Sequence, residues 1–541
     1  MGAGRLSLHR VGAILAAGLV ALPVGALALA AARGSGDLWP HLARYVLPPA
    51  VVETALLLAG VGAVAVGAGT GAAWLAACYR FPGRRVLSWA LVLPLAMPAY
   101  VAAYAWLDVL HPAGPVQAGL RGWLGLHDPR AIPLPEVRSL PGCALVMGSV
   151  LYPYVYLSAR AAFLSQGLGL IRAGRSLGAG GWRLFHQVGL PMARPAIAAG
   201  AALALLEALN DVGAAEFLGV RTLTVSVYVT WITRSSLEGA AQIALMLLAA
   251  VAAVLALEAW ARGRVGDVRS VAEPVPPEPR TLPPVPGLLA AAACALPVVT
   301  GFAIPAAYLL WAAWRRVAAF GLPPDLDRWV LNSAVLAGAA TLLVLPAGLV
   351  LAFGARGRGM APRDRTGSAL LRAGMLGYAL PGGIAAVGLT VAFGGMDDVL
   401  GELGALAPPP LLGTAAAVVA AYVVRFLAIP AGGLDAAYGR IPRSADWSAR
   451  AMGAGPGRLL WRVHLPPLRP ALLAAALLVF LDAMKELPAT LLLRPLNRET
   501  LATALYAEAA RGTYEEGAVA ALALVLVGLP VIGLLMGRAR R

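Results

Sequence analysis

"LGAGGWRLFHQVGLPMARP", residues 177–195, and "MGAGPGRLLWRVHLPPLRP", residues 452–470, are two versions of one segment. Aligned without gaps from Arg175 to Ala196 and from Arg450 to Ala471, they are identical at twelve of 22 positions. Both copies are basic and glycine-rich, and both reach a proline pair that opens a long apolar stretch. Weaker echoes lie upstream. "ETALLLAG" at Glu53 corresponds to "NSAVLAGA" at Asn332, and "MPAYVAA" at Met97 to "LPGGIAA" at Leu380. The chain therefore reads as one architecture built twice.

The bulk chemistry decides which architecture. The 541 residues are 60% hydrophobic and 13% charged, with a mean hydropathy of +0.76. A soluble domain carries about 25% charged residues. Apolar runs near the ~20 residues that cross a bilayer recur throughout. A membrane barrel would show alternation instead of solid apolar runs. The reading is an all-α polytopic membrane protein of twelve transmembrane helices. They fall at about 11–32, 50–78, 87–109, 143–164, 195–217 and 239–260, then 286–312, 330–354, 370–394, 411–429, 470–492 and 515–536. Val11 to Ala32 is longer than a signal-peptide core, so it is expected to be a retained first helix.

Seven prolines between Pro274 and Pro286 cannot continue a helix and form an extended spacer. The domains expected are a first six-helix unit, 1–265, a Pro-rich linker, 266–286, and a second six-helix unit, 287–541. Six helices per unit make the repeats parallel, so both copies of the opening segment face the same side. That side also collects Arg80, Arg84 and Arg85, Arg356 and Arg358, Arg440 and Arg443, and both termini. The positive-inside rule makes it the cytoplasm, with both termini there. The net charge of +16 belongs to these loops and not to a nucleic-acid surface. Cys78, Cys143 and Cys294 fit no metal spacing and read as small apolar residues.

Within the repeated segment, Leu177, Trp182, Leu184 and Phe185 alternate with Arg183 and His186, which suits a short amphipathic helix. Glycines at 178 and 453 would let another backbone come close. Prolines at 191 and 195 redirect the chain into the next helix. An apolar face on a cytoplasmic loop fits a protein partner or a bed of lipid headgroups. Two copies at matching places favour a two-fold partner.

Both segments resemble the EAA loop of binding-protein-dependent ABC importer permeases. The resemblance covers essentially the whole chain and implies a type I importer-like fold. In that family the loop forms a coupling helix seated on a cytoplasmic ATPase. Carried over, the coupling residues are Arg175, Gly178, Ala179, Arg183, Leu190 and Pro191, and Arg450, Gly453, Ala454, Arg458, Leu465 and Pro466. The glutamate that opens the family's motif is replaced by Arg172 and Trp447. "PLAMPAYVAAYAWLDVL" (94–110) and "LDAMKELPATLLLRPLNRETLATALY" (481–506) are similar to fused iron(III) permeases. Fused thiamine and phosphonate permeases share the architecture. The implied partners are two copies of an ABC ATPase subunit, a periplasmic or tethered substrate-binding protein and the lipid bilayer of the bacterial inner membrane. No GxxxxGK[ST] motif is present and no catalytic constellation is visible, so the chain is expected not to be an enzyme. It is expected to bind no cofactor, with ATP used by the partner subunit.

The fifth helix of each unit carries polar residues at one spacing: Glu207, Asn210, Asp211 and Asp482, Lys485, Glu486. At i, i+3 and i+4 they share a helix face. Ionisable residues in a membrane helix point to function. They could line the pathway of a hard cation, glue helices together, or form an outer docking surface. No metal ligand is assigned. A secondary carrier of the major-facilitator type is the rival, because it too has twelve helices in two parallel halves. It would have no use for a coupling loop before each fifth helix.

Overall fold

The structure is a computed structural model, and it describes residues 8–126, 128, 135–165, 174, 176, 178–262, 279–356, 365–402 and 411–538. Most of the linker, 266–278, lies outside them. The described chain is helical apart from one two-residue parallel strand pair, Tyr79–Arg80 with Arg280–Thr281. Ten helical segments are long and apolar enough to cross a bilayer, or eleven if one sharply bent pair counts as a span. The last helix, Tyr514–Arg538, occupies the place of the twelfth expected one. Large apolar side chains such as Leu29, Leu289 and Leu342 stand exposed along these helices. That surface suits lipid, because a helix satisfies its own backbone and needs no water.

Prolines shape the spans. The chain widens into π-helical turns at Leu42–Val46, Phe185–Gly189, Val299–Ala303 and Leu459–His464. Each is followed by an X-Pro pair: Pro48, Pro191, Pro305 and Pro466. A proline ring clashes with the carbonyl four residues back and offers no N–H to it, and a wider turn relieves both faults.

Four expected spans are not continuous helices. Those at 195–217 and 470–492 stop at Asn210 and Met484 and restart as the short helices Val212–Phe217 and Pro488–Leu493. The span at 87–109 is broken by a 95° bend between Arg84–Ala96 and Ala99–Val109. The corresponding second-half segment is helix Arg365–Met375, a 3-10 turn Leu376–Ala379, and helix Gly382–Glu402. In both, the residue before a proline is extended, Met97 at ψ 110° and Leu380 at ψ 114°. The α conformation is disfavoured there.

The chain forms two compact units. One comprises residues 1–42, 227–248 and 324–504, and the other 43–226, 249–323 and 505–541. In the first unit, helix Leu326–Arg356 lies against Ala428–Tyr438 and Leu465–Met484 around Ala352, Leu434, Tyr438 and Leu468. The N-terminal helix Leu8–Arg33 packs on Gly382–Glu402 and Leu326–Arg356. In the second unit, helix Leu47–Cys78 packs along Leu140–Ser165. Gly69 has no room for a Cβ, which would lie 2.8 Å from the carbonyl of Tyr152. Small residues at such a crossing let membrane helices approach closely. The spatial units thus divide differently from the sequence halves expected at 265 and 287. The first helix belongs with second-half helices, and Ile304–Phe320 with the first-half helix Ala99–Val109.

Candidate functional site

The two repeated loops share one backbone wherever both are described. Gly178 and Gly453 both sit at φ +80°, in the left-handed region. Each is followed by the same hydrogen bond, Ala179 N–H to Gly174 O and Ala454 N–H to Ala449 O, both 3.0 Å. Gly180 and Gly455 are extended and start the next turn, where Leu184 N–H and Leu459 N–H donate back to them at 2.9 Å. Among the described residues nothing lies within 4 Å of the Cβ positions of Gly178 and Gly453. These glycines are therefore required by φ and not by crowding from described neighbours.

Burial agrees pair by pair. Gly178 and Gly453, Arg183 and Arg458, and Pro191 and Pro466 are exposed, while Ala179 and Ala454, and Leu190 and Leu465, are half-buried. Arg450 is half-buried, and Arg175 lies outside the described residues. Leu184 and Leu459 anchor each loop inward. Facing outward are Trp182, 76% exposed, and Met452 and Trp461, 78% and 68% exposed. These large apolar side chains stand exposed beside the exposed Arg183 and Arg458.

Behind the loops the copies differ. In the first, Trp74 packs edge-on to Phe163 and tilted against Phe185, both at 5.3 Å between centroids. Gly189 lies under the Trp74 ring, where a Cβ would stand 2.6 Å away. The position aligned with Gly189 is His464, and the one aligned with Trp74 is Phe353; their rings are 5.8 Å apart. A large–small pair has become a medium–medium pair. The exchange brings in charge: His464 Nε2 is 2.8 Å from Asp446, whose carboxylate accepts from Arg356 Nε at 2.7 Å and Nη2 at 3.2 Å. Arg356 also donates to the carbonyls of Tyr438 (2.7 Å) and Ile441 (3.1 Å). Burial alone would raise the Asp446 carboxyl, but bonds from Arg356 and His464 outweigh it and hold it below the ordinary range. The acid thus stays ionised through neutral pH, and the pair is lost only as pH falls below that of free carboxylates. Sequence reasoning missed this cluster. Its one local signal is an acid immediately before Trp447, the position where the family's glutamate is replaced.

The polar triplets are not on one helix face. Helix Leu190–Asn210 ends before Asp211, and helix Leu465–Met484 before Lys485. Asp211 accepts from Ala214 N–H at 2.8 Å and caps helix Val212–Phe217. Glu486 does the same for helix Pro488–Leu493, accepting from Ala489 N–H and Thr490 N–H, both 3.0 Å. It also takes bonds from Thr490 Oγ1 (2.8 Å) and Arg425 (3.0 Å) and is 3% exposed. These two acids restart a broken helix. Asn210 is buried and Glu207 half-buried. Asp482 and Lys485 form a half-buried pair at 2.9 Å. Such a pair adds at most about 1 kcal/mol. Asp482→Asn is therefore expected to leave the detergent melting temperature within a few degrees of wild type; a collapse of the fold would show that the pair is structural. Among the described residues no group of three or more His, Cys, Asp or Glu could hold a metal.

Repeated, proline-broken apolar helices with a matched loop in each half are the build of a multi-pass membrane protein. Residues 65–266 match the family described as binding-protein-dependent transport system inner membrane component. The molybdenum transport permease ModB of Escherichia coli is 31% identical over 196 residues, 35% of this chain and 81% of that one. The sulfate transport permease CysW of E. coli is 34% identical over 157 residues, 29% and 51% of the two chains. The Fe(3+)-transport permease FbpB 2 of Haemophilus influenzae is 24% identical over 486 residues, 88% of each. The chain belongs to the family of binding-protein-dependent transport permeases.

Proposed function

We propose that this chain supplies both membrane halves of an ATP-driven importer in one polypeptide. A binding protein delivers substrate at the outer face of the bacterial inner membrane. Two copies of a separate ATPase subunit grip the loops around Gly178 and Gly453 on the cytoplasmic side, where both termini also lie. Closure of the ATPases on ATP moves the loops and the helices that follow them, alternating access. The observation that carries this reading is the matched pair of loops, alike in backbone, hydrogen bonds and exposure, one in each half. The lack of a phosphate-binding motif supports a separate motor.

The substrate we infer is iron(III). Support comes from the ferric permease that aligns along 88% of both chains, whereas the molybdenum and sulfate permeases align with about a third of this one. The higher identity of those two makes an oxyanion the second reading. The test is uptake into proteoliposomes holding the chain, its ATPase and its binding protein, offered radiolabelled ferric citrate, molybdate, sulfate and thiamine in turn. Ferric iron is expected to accumulate with ATP and thiamine to be excluded. Accumulation of molybdate or sulfate alone would replace the iron reading.

A further inference from the structure

We infer that Arg356, Asp446 and His464 form a joint that positions the second coupling loop on the end of helix Leu326–Arg356 and passes the motor's movement to that helix. The inference rests on the importer reading, and it makes the two halves unequal in how they are coupled. The three side chains come from three elements: the last residue of a 31-residue apolar helix, the short helix Arg443–Ala451, and the wide turn Leu459–His464 that leads into the next span. Their side chains are 8%, 9% and 1% exposed. Arg356 is fixed in place by the carbonyls at the end of helix Ala428–Tyr438 and lies 5.3 Å from the Tyr438 ring centroid. It grips Asp446 through two nitrogens, a geometry with a narrow angular range. Tyr438 and Phe353 flank the imidazole of His464 at 5.2 and 5.8 Å.

This arrangement has mechanical consequences. Asp446 stands seven residues before Gly453, at the base of the face that carries Met452 and Trp461. A push on that face is taken up at Asp446 and delivered through the guanidinium to the end of helix Leu326–Arg356. At the positions matching Asp446 and His464 the first loop carries the non-ionisable Ile171 and Gly189, and the described contact behind it is aromatic packing on Trp74. Packing resists compression but gives little resistance to sliding, while a bidentate ion pair resists both. The acid near the start of the second loop is thus committed within the chain and is not offered to a partner. The three are positioning residues that act through the loop and touch no substrate.

The experiment compares wild type, Asp446→Asn, Arg356→Gln and the double variant in proteoliposomes with ATPase and binding protein. It records ATP hydrolysed and radiolabelled ferric citrate, molybdate and sulfate taken up. Hydrogen exchange of the same complexes is measured with and without ATP and vanadate. The expected result is ATP hydrolysis within about threefold of wild type and at least a tenfold fall in substrate imported per ATP. The double variant falls no further than either single one, because both break the same contact. In wild type, vanadate trapping changes exchange at both 443–464 and 345–356; in Asp446→Asn the change stops at 443–464. Import per ATP at the wild-type value, or an unchanged exchange response at 345–356, overturns the joint. A folded variant that loses the exchange response equally at 443–464 and 345–356 would show that the three side chains shape the loop and not its coupling, and would also overturn the joint. Wild type that takes up none of these probes with ATP, nor thiamine, removes the importer reading itself, and the joint with it.

Discussion

Gly453→Arg is expected to lower ATP-driven uptake about 100-fold while the protein still reaches the membrane. A side chain at φ +80° costs about 1–2 kcal/mol of backbone strain, which changes the folded/unfolded ratio by roughly 5–30-fold and still leaves most of the chain folded. The loss of uptake comes instead from a long cation projecting into the space beside the loop, which no described residue fills and where the proposed partner would sit. Gly453→Ala separates the two effects, since it carries the strain without the bulk. Its uptake should stay within a few-fold of wild type. Gly178→Arg, at the same φ in the first half, should behave like Gly453→Arg. Uptake and ATPase co-purification, measured side by side, check the prediction. Normal uptake by Gly453→Arg would mean that nothing docks there.

Glu486→Ala is expected to destabilise the folded chain by about 3–5 kcal/mol, the usual effect of removing one partner of a buried ion pair. Arg425, 10% exposed, would lose this carboxylate, and the N-terminal turn of helix Pro488–Leu493 would lose the acceptor for two N–H groups. Replacing both partners, as in Glu486→Leu with Arg425→Leu, should recover part of the loss, because the buried guanidinium goes with its carboxylate. The cap would still be missing, so recovery stays short of wild type by about 1 kcal/mol. Melting curves in detergent decide the matter. A Glu486→Ala protein that melts like wild type but transports nothing would return Glu486 to the translocation pathway and remove it from the scaffold.

The parts of the fold that were legible in the sequence are those written locally. Apolar runs mark spans because a bilayer imposes a length. The Gly178 and Gly453 loops were legible because a left-handed residue followed by a helix and an X-Pro pair leaves a pattern that survives duplication. Met97-Pro98 and Leu380-Pro381 were visible as an echo, yet their consequence, a broken span in each half, depends on the residue before proline and was read through as continuous helix. The polar triplets misled for a related reason: i, i+3, i+4 spacing implies a shared face only while the helix lasts, and here it stops at Asn210 and Met484. Long-range pairings left no local trace. Arg356 and Asp446 are 90 positions apart, and nothing near Leu8–Arg33 says that its neighbours are second-half helices.

In the function proposed above, a separate motor drives substrate through this chain by way of its two loops. The most direct measurement is substrate accumulation in proteoliposomes under two energy sources, with binding protein present throughout. With the ATPase and ATP inside and no ion gradient, accumulation is predicted, and it should vanish when the ATPase carries an inactivated nucleotide site. Accumulation by the chain alone under a proton gradient, without ATPase or ATP, would make it a secondary carrier and remove the motor.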